Sequence, residues 1–434
     1  MSSPMDAVTR TVNALVTALK MPDDSAKAND ILGQMNFPQF SRLLPYRDYD
    51  AQTGLFMNDK TMGFMLEAQP INGANETIVS SLENLMRTKL TREVPLAIHL
   101  VSSHLVGQDI QYGLRELSWT GEEADKFNAI TRAYYLRAAE EGFPLPEHLN
   151  LPLTLRNYRV YFSCCVPRKR GSKASVMELE NQVKIIRASL QGAQIVTRGV
   201  DADAFIRIVA EMVNHNPDAL YTKERELDPL KDLNYQCVDD GFDLKVKADH
   251  MTLGLRENGK NSAARIMNFQ LTRNPEMAFL WNMADNYSNL LSPELSISSP
   301  FILTLILSVE DQVKSQNEAN LKFLDLEKKS KNSYAKFFPG VVQEAKEWGD
   351  LRQRLASGQS SLVSYFLNIT VFCRDEQETA LNVEQDVLNS FRKNGFELIS
   401  PRFNQLRNFL VNLPFIAGGG LFKQLKASGV VQRA

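Results

Sequence analysis

Hydrophobic and polar residues alternate in several short runs of this chain, and two of these runs flank a turn signal within residues 251–271. Apolar residues occupy every second position on both sides of Asn258-Gly259. Asn-Gly favours a two-residue turn because both of its residues readily adopt a positive φ. The pattern predicts a β-hairpin over 251–271, and a similar pattern around residues 58–60 predicts another over 53–69.

After each predicted hairpin, the periodicity predicts the same order of elements: helix, strand, helical insertion, strand, helix, strand and helix. In the first half these elements occupy residues 75–90, 95–105, 122–141, 155–166, 176–191, 194–200 and 201–214. In the second half they occupy residues 274–291, 300–309, 311–356, 362–373, 376–394, 396–400 and 403–413. Corresponding elements are offset by roughly 200 residues, which predicts an internal duplication.

Strands that alternate with helices at these lengths favour an α+β fold with helices on one face of a mixed sheet. We expect a duplicated ferredoxin-like scaffold in which each copy carries a helical insertion. The sequence predicts an N-terminal helix and connector at 1–40, a first copy at 41–215, a linker and second copy at 216–412, and a glycine-rich joint at 413–434. Asn72, Asn75 and Asp201 are candidate helix N-caps.

Amphipathic helices also lie outside the predicted sheets, and those at residues 4–20 and in the second insertion are candidate contact surfaces. The helix over residues 4–20 has one apolar face, and both docking on a partner and packing on its own domain remain open. The first insertion has an apolar stripe formed by Phe127, Ile130, Tyr134 and Ala138. The second insertion, broken at Pro339-Gly340, is expected to close through a seam of Leu321, Leu324, Tyr334, Trp348, Leu351 and Leu355. A projecting helical hairpin of this kind either binds a partner or packs on itself.

Composition excludes several classes of protein. The 434 residues are 44% hydrophobic and 23% charged, which is typical of globular domains with a sizeable core. The formal net charge of −2 predicts no bulk attraction to nucleic acid or to an anionic membrane. No apolar run reaches the roughly 18 residues of a membrane span, and no signal peptide is recognisable.

Cysteine and histidine residues show no spacing that is typical of a metal site. The four cysteines, which are Cys164, Cys165, Cys237 and Cys373, form no C-x-x-C pair, and we expect buried, reduced thiols. His99 and His104 flank an apolar strand. We expect both to be hydrogen-bonded structural residues.

Three segments resemble phosphate-binding sites without completing one. In residues 254–261, Gly254-x-x-x-x-Gly259-Lys260 is followed by Asn261, although a P-loop needs Ser or Thr there to ligate Mg²⁺. Arg168, Lys169, Arg170 and Lys173 form a basic turn that either holds an anion or remains a solvated loop. The three glycines at 418–420 lack the Gly-Lys-Ser/Thr signature, so we interpret them as a flexible joint.

Six long runs of the sequence resemble a known family. They are FPQFSRLLPYRDYD (37–50), GFMLEAQPINGANETI (63–78), FNAITRAYYLRAA (127–139), DLKVKADHMTLGLRENGKN (243–261), FLWNMADNYSNLLSPELSIS (279–298) and NSFRKNGFELISPRFNQLRNFL (389–410). They resemble the TraC-type assembly ATPases of F-like conjugative type IV secretion systems. The resemblance covers essentially the whole chain.

The resemblance implies a scaffold region that precedes a RecA-like ATPase domain using ATP and Mg²⁺. This chain contains no G-x-x-x-x-G-K-[ST] motif, so no catalytic, cofactor-binding or metal-binding residue carries over, and we expect the non-catalytic N-terminal region. The resemblance also implies a hexamer at the cytoplasmic face of the inner membrane, which contacts neighbouring protomers, a small TraL-like membrane component and other channel subunits. The alternatives are a stand-alone adaptor acting through the arm at 311–356 and an atypical P-loop NTPase using residues 254–261.

Overall fold

A computed structural model of the protein describes residues 39–434 apart from 72, 122, 144–153, 169–172, 258–259, 276–285, 288–295, 333, 339, 359 and 434. Its strands are β1 (Tyr46–Asp50), β2 (Leu55–Asn58), β3 (Thr61–Ala68), β4 (Leu96–Ser103), β5 (Asn157–Pro167), β6 (Thr197–Gly199), β7 (Asp243–Val246), β8 (Met251–Glu257), β9 (Lys260–Arg273), β10 (Phe301–Val309), β11 (Val363–Arg374), β12 (Glu397–Ile399) and β13 (Gln432–Arg433).

The helices lie mainly between these strands. They are α1 (Glu76–Asn84), α2 (Gly107–Arg115), α3 (Ala124–Glu140), α4 (Lys173–Gly192), α5 (Ala202–Val213), α6 (Leu233–Gln236), α7 (Gln312–Lys331), α8 (Tyr334–Phe337), α9 (Gly340–Ala356), α10 (Gln377–Arg392), α11 (Gln405–Val411) and α12 (Phe422–Ala427). A 3₁₀ turn at Gln39–Leu43 and π-helical turns at Leu85–Lys89 and Ala417–Leu421 complete the helical segments of the described residues.

The strands of the described residues form one sheet, in the order β1-β2-β3-β5-β4-β10-β11-β9-β8-β7. The short strands β6, β12 and β13 pair with β3, β9 and β11. The central pair is β4 and β10, in which Ser102 lies opposite Phe301 and Leu96 lies opposite Leu307. The strands of the two halves therefore follow the same order outward from this pair.

The expectation of a mixed sheet is wrong for the described residues, because each of their strand pairs is antiparallel. The periodicity of a segment identifies it as a strand but contains no information about which neighbour it pairs with. The sheet runs without a break across the proposed boundary between residues 215 and 216. The proposed division into domains remains a prediction.

The expectation of helices on one face is also wrong for the described residues, because helices cover both faces of the sheet. Along β3, Phe64 and Leu66 belong to the core under α1 and α4, whereas Met65 belongs to the core under α5 and α11. This alternation follows because successive strand residues point to opposite faces. In the second half, α10 covers the face that contains Phe269.

Two of the predicted N-caps are confirmed. Asn75 Oδ1 accepts a hydrogen bond from Ile78 N at 2.9 Å, and Asp201 Oδ1 accepts one from Ala204 N at 2.8 Å. Each bond satisfies an amide that has no partner within its helix. Asn72, the helix at 4–20 and most of the predicted helix at 274–291 lie outside the described residues.

Two segments differ from their sequence-based description. Helix α2 follows β4 and was not predicted, because its sequence, GQDIQYGLR, has only two large apolar side chains among polar ones. The connection over residues 216–240 contains α6 and packs onto the fold, since Leu233, Asn234 and Cys237 are buried. Among the helices of the described residues, none combines the length and the apolar character that crossing a membrane requires.

Candidate interaction surfaces

The predicted hairpin at 251–271 is confirmed. Strands β8 and β9 pair antiparallel as far as Glu257 and Lys260, and the two intervening residues lie outside the described part. Gly254 lies within β8, opposite Asp243 of β7 and Ala263 of β9. Because residues 254–257 form an extended strand that pairs with β9, their amides do not form a loop that could surround a phosphate.

The structure describes one of the other two phosphate-like segments, the glycines at 418–420, and only part of the other, the basic turn. Residues 169–172 of the basic turn lie outside the described residues, so its anion-binding role stays a prediction. The glycine-rich segment is docked on the sheet, where a Cβ on Gly418 would overlap the Sγ atom of Cys165. Cys165 Sγ donates to Phe415 O at 3.2 Å. Glycine at 418 therefore permits a close approach of the chain to β5.

The predicted structural roles of two histidines are confirmed. The ring of His99 is fully buried between Thr304 Oγ1 at 3.1 Å and Ser163 Oγ at 2.9 Å. Burial lowers the pKa of His99 to about 3, so the ring is neutral at neutral pH. His99 thereby fixes the three central strands β5, β4 and β10 to one another on one face of the sheet.

A second set of buried polar side chains forms a hydrogen-bonded network between β9, β11 and α11. Seven side chains belong to it: Asn268, Gln270, Asn368, Thr370, Gln405, Asn408 and Asn412. Asn268 Nδ2 donates to Gln405 Oε1 at 2.8 Å, and Asn408 Nδ2 donates to Asn368 Oδ1 at 3.0 Å. These bonds fix α11 to β9 and β11. Sequence reasoning missed this network, although polar residues at every second strand position, and at 405, 408 and 412 on one helical face, signal it.

A small pocket lies where β4 ends and β10 begins, beside α5. Its cavity is about 100 Å³ and its lining includes His104 and His215, whose ring centroids are 4.6 Å apart. His104 Nε2 lies 2.9 Å from Asn216 O, and burial lowers the pKa of His104 to about 4. Burial lowers the pKa of His215 well below its usual range. Two neutral rings fit a structural role, and no cluster of metal-ligating side chains occurs in the described part of the chain.

The four cysteines are buried and unpaired, as predicted. Burial raises the pKa of Cys165 and of Cys237 to about 12 each. It also raises the pKa of Cys373 to about 11. Thiols held in the protonated form are poor nucleophiles and poor metal ligands, so these residues act as small apolar side chains of the core.

The first insertion forms a helical arm of α2 and α3, which we call the first arm (residues 107–143). Most of its apolar stripe faces solvent: Ala138 is buried, but Phe127 is 59% and Ile130 65% exposed. Trp119 is 70% exposed and its ring lies 6.1 Å from that of Phe127. Asn128 fixes this position, because its amide donates to Trp119 O and accepts from Trp119 N. The stripe is therefore a surface feature with an ordered aromatic side chain beside it.

The second insertion forms a helical arm of α7, α8 and α9, which we call the second arm (residues 311–358). Its seam is a small core of Leu326, Val341 and Ala345, with Trp348 against it. The expected seam is wrong for Leu321 and Leu324, which are exposed. The periodicity of α7 allowed either apolar row to face α9, and the interhelical packing selected the row that contains Leu326.

The tip of the second arm combines apolar and basic side chains. Phe337 is 80% exposed, and a cleft of about 560 Å³ lies beside it between α7 and α9. Leu326, Val341 and Trp348 contribute apolar lining, and Lys322 and Lys329 contribute positive charge. An exposed aromatic side chain beside such a cleft is typical of a protein-binding surface.

Comparisons with known proteins give two matches. A family model described as TraC protein matches residues 40–417. The curated Protein TraC of Escherichia coli (strain K12) is 73% identical over 434 residues, which are 100% of this chain and 50% of that protein. The chain thus spans about half the length of this relative.

Proposed function

We propose a function from the premise that this chain belongs to the TraC protein family: it is the scaffold and interaction region of an assembly ATPase in a conjugative type IV secretion system. It corresponds to the N-terminal region of such a protein. ATP and Mg²⁺ are bound by a separate RecA-like domain, which energises pilus assembly and transfer.

The observation that supports a scaffold is the pair of arms on the sheet. The first arm presents Trp119 and Phe127 to solvent, and the second arm presents Phe337 beside a cleft. Exposed aromatic residues are enriched in protein interfaces because they bury a large apolar area at a low cost in conformational entropy. A sheet with two such arms is suited to holding other proteins at fixed positions.

We also propose the finer architecture. The series β3-α1-β4-β5-α4-β6 has the strand order β6-β3-β5-β4, and β9, β10, β11 and β12 repeat this order as β12-β9-β11-β10. A βαββαβ unit with this order is ferredoxin-like. In this proposal, duplication of the unit produced a scaffold with one arm in each copy.

The proposed partners are neighbouring copies of the chain in a hexamer, a TraL-like membrane component and other channel subunits. The proposed location is the cytoplasmic face of the bacterial inner membrane, where the protein associates peripherally through these partners. Surface aromatic residues on rigid helices support partner binding, because rigid anchors lose little entropy on association.

Calorimetric titration with Mg²⁺-ATP tests the non-catalytic part of the proposal. We expect no binding, since residues 254–257 and 260–261 belong to paired strands. Lys260→Ala should behave as the unmodified chain does, with Lys247→Ala as the matched surface control. Micromolar, Mg²⁺-dependent binding that Lys260→Ala alone abolishes would establish the P-loop alternative instead.

A second candidate is an adaptor that acts through the second arm alone, and the separate core of this arm favours it. Glu310 N donates to Leu362 O at 2.9 Å, so a short Gly-Ser linker can replace residues 311–361 without opening the sheet. Co-purification with a TraL-like protein is then measured. Lost binding with an unchanged thermal transition supports the adaptor, whereas retained binding places the contact on the sheet or on the first arm.

A further inference from the structure

The two arms have opposite charge. Residues 107–143, the first arm, contain four basic and seven acidic side chains, a net charge of −3. Residues 322–338, around the tip of the second arm, contain five basic and two acidic side chains, a net charge of +3. The whole chain has a formal net charge of only −2, so this separation is local.

Several of these charged side chains form no ion pair within the described part of the chain. At the tip, Asp325 and Glu327 bind Lys329 and Lys331 at 2.6 and 2.7 Å. Lys322, Lys328 and Lys336 have no carboxylate within 4 Å among the described residues. On the first arm, Glu116, Glu123 and Asp125 likewise have no basic partner among those residues.

Both charged surfaces also have an apolar centre. Trp119, Phe127 and Ile130 are exposed on the first arm. Glu123 and Asp125 lie at the start of α3, the helix that also carries Phe127 and Ile130. Phe337 is exposed at the tip of the second arm, beside the cleft with its apolar lining. An apolar centre with a charged rim is the usual arrangement of a specific protein interface.

The arms leave opposite ends of the central strand pair. The first arm follows Ser103 at the end of β4, and the second follows Val309 at the end of β10. Because β4 and β10 are antiparallel, Ser102 lies beside Phe301 and Leu307 lies beside Leu96. The acidic arm of one copy is therefore positioned to meet the basic arm of another copy rather than that of its own chain.

We propose that the first arm of one copy binds the tip of the second arm of a neighbouring copy. Trp119 and Phe127 pack against Phe337 and the adjoining cleft, and the acidic rim of the first arm faces Lys322, Lys328 and Lys336. The two surfaces differ, so the contact is heterologous and a bound pair of copies retains one free surface of each kind. Repetition of a heterologous contact produces a closed ring or an open chain. This inference deepens the proposed function by assigning surfaces to its self-association.

Analytical ultracentrifugation of the full chain tests the contact, using two variants that each disrupt one surface. The patch variant carries Trp119→Ser and Phe127→Ser, and the tip variant carries Phe337→Ser and Lys336→Glu. The control is Phe403→Ser, because Phe403 is 84% exposed and lies outside both arms. Circular dichroism and thermal unfolding establish that the variants are folded.

The unmodified chain and the control are expected to assemble beyond a dimer as the concentration rises. Each variant alone should remain a monomer. An equimolar mixture of the two variants should form a one-to-one dimer and nothing larger, because only one intact pair of surfaces remains. A monomeric unmodified chain, variants that assemble normally, or a mixture that stays monomeric would each overturn the proposal.

A charge exchange gives an independent measure. Lys328→Glu with Lys336→Glu should weaken association about tenfold, and Glu123→Lys with Asp125→Lys in the same chain should restore most of it. Failure of the second pair to restore any association would contradict the charge pairing. Calorimetry with ATP and co-purification with a TraL-like protein do not depend on this contact, so a negative result here leaves the proposed function separately testable.

Discussion

Asn268 of β9 and Gln405 of α11 are hydrogen-bonded to each other in the buried interior. Gln405 Oε1 accepts from Asn268 N at 3.1 Å and from Asn268 Nδ2 at 2.8 Å, while Gln405 O accepts from Asn268 Nδ2 at 3.1 Å. Both side chains are fully buried. Removing either member of such a buried polar pair destabilises the fold, because the remaining group has lost its hydrogen bonds to water without gaining a protein partner.

Replacing Asn268 by Leu should therefore destabilise the fold by about 2–4 kcal/mol. The substitution leaves Gln405 Oε1 with one donor fewer and removes Asn268 Oδ1, to which the Thr370 hydroxyl donates. Urea unfolding followed by circular dichroism measures the change. As a control, Gln343→Ala removes an exposed hydrogen bond to Glu347 and should cost less than about 0.5 kcal/mol. Equal effects of the two substitutions would show that the buried network does not stabilise the fold.

Gly418→Ala should destabilise the docked C-terminal segment by about 1–3 kcal/mol, because the new Cβ would overlap Cys165. The neighbouring Gly419 is a matched control, since a Cβ there meets nothing within 4 Å. Thermal unfolding of Gly418→Ala and Gly419→Ala measures both effects. A loss confined to position 418 is expected, and equal melting temperatures would contradict the close approach at Cys165.

Stability should fall as the pH is lowered through the range in which histidine titrates in the unfolded chain. The unfolded pKa is about 6.5, whereas burial lowers the folded pKa of His99 to about 3 and that of His104 to about 4. The unfolded state thus binds protons that the folded state does not bind. The stabilisation is complete above about pH 6.5 and is lost as the pH falls toward these folded values.

Each such histidine contributes a slope of about 1.4 kcal/mol per pH unit within this window. Urea unfolding of the unmodified chain at about pH 7.5, 6 and 5 measures the slope. His99→Gln should remove the contribution of one histidine from the slope of the unfolding free energy with pH, whatever its effect on stability at neutral pH. An unchanged slope would mean that His99 is not held neutral in the folded protein.

The buried thiols should resist modification. Burial raises the pKa of Cys165 and Cys237 to about 12 each, so almost no thiolate is present near pH 8. We expect a thiol-specific disulfide reagent to label none of the four cysteines in the native protein and all four in denaturant. Labelling in partial denaturant should follow the unfolded fraction. Rapid native labelling of Cys165 would show that the glycine-rich segment does not cover it.

Local elements could be predicted because their signals lie within a few residues of one another. The Asn-Gly pair in the sequence predicted the β8–β9 hairpin, and Asn75 and Asp201 predicted where α1 and α5 begin. The buried role of His99 also followed from its place in an apolar strand. For the candidate interaction surfaces, the sequence identified the apolar rows of the helices but not which of these rows remain exposed.

The sequence by itself determined the order of most strands and helices, many of their boundaries and the family resemblance, because periods of two and 3.6 residues and capping residues are local properties. Only the tertiary structure decided which strands pair, which row of α7 faces α9, and that Phe127 and Ile130 remain exposed. It also brought Asn268, Asn368 and Asn412 together from three distant segments. These outcomes depend on contacts between residues far apart in the chain, and the periodicity of a single segment contains no information about its partner.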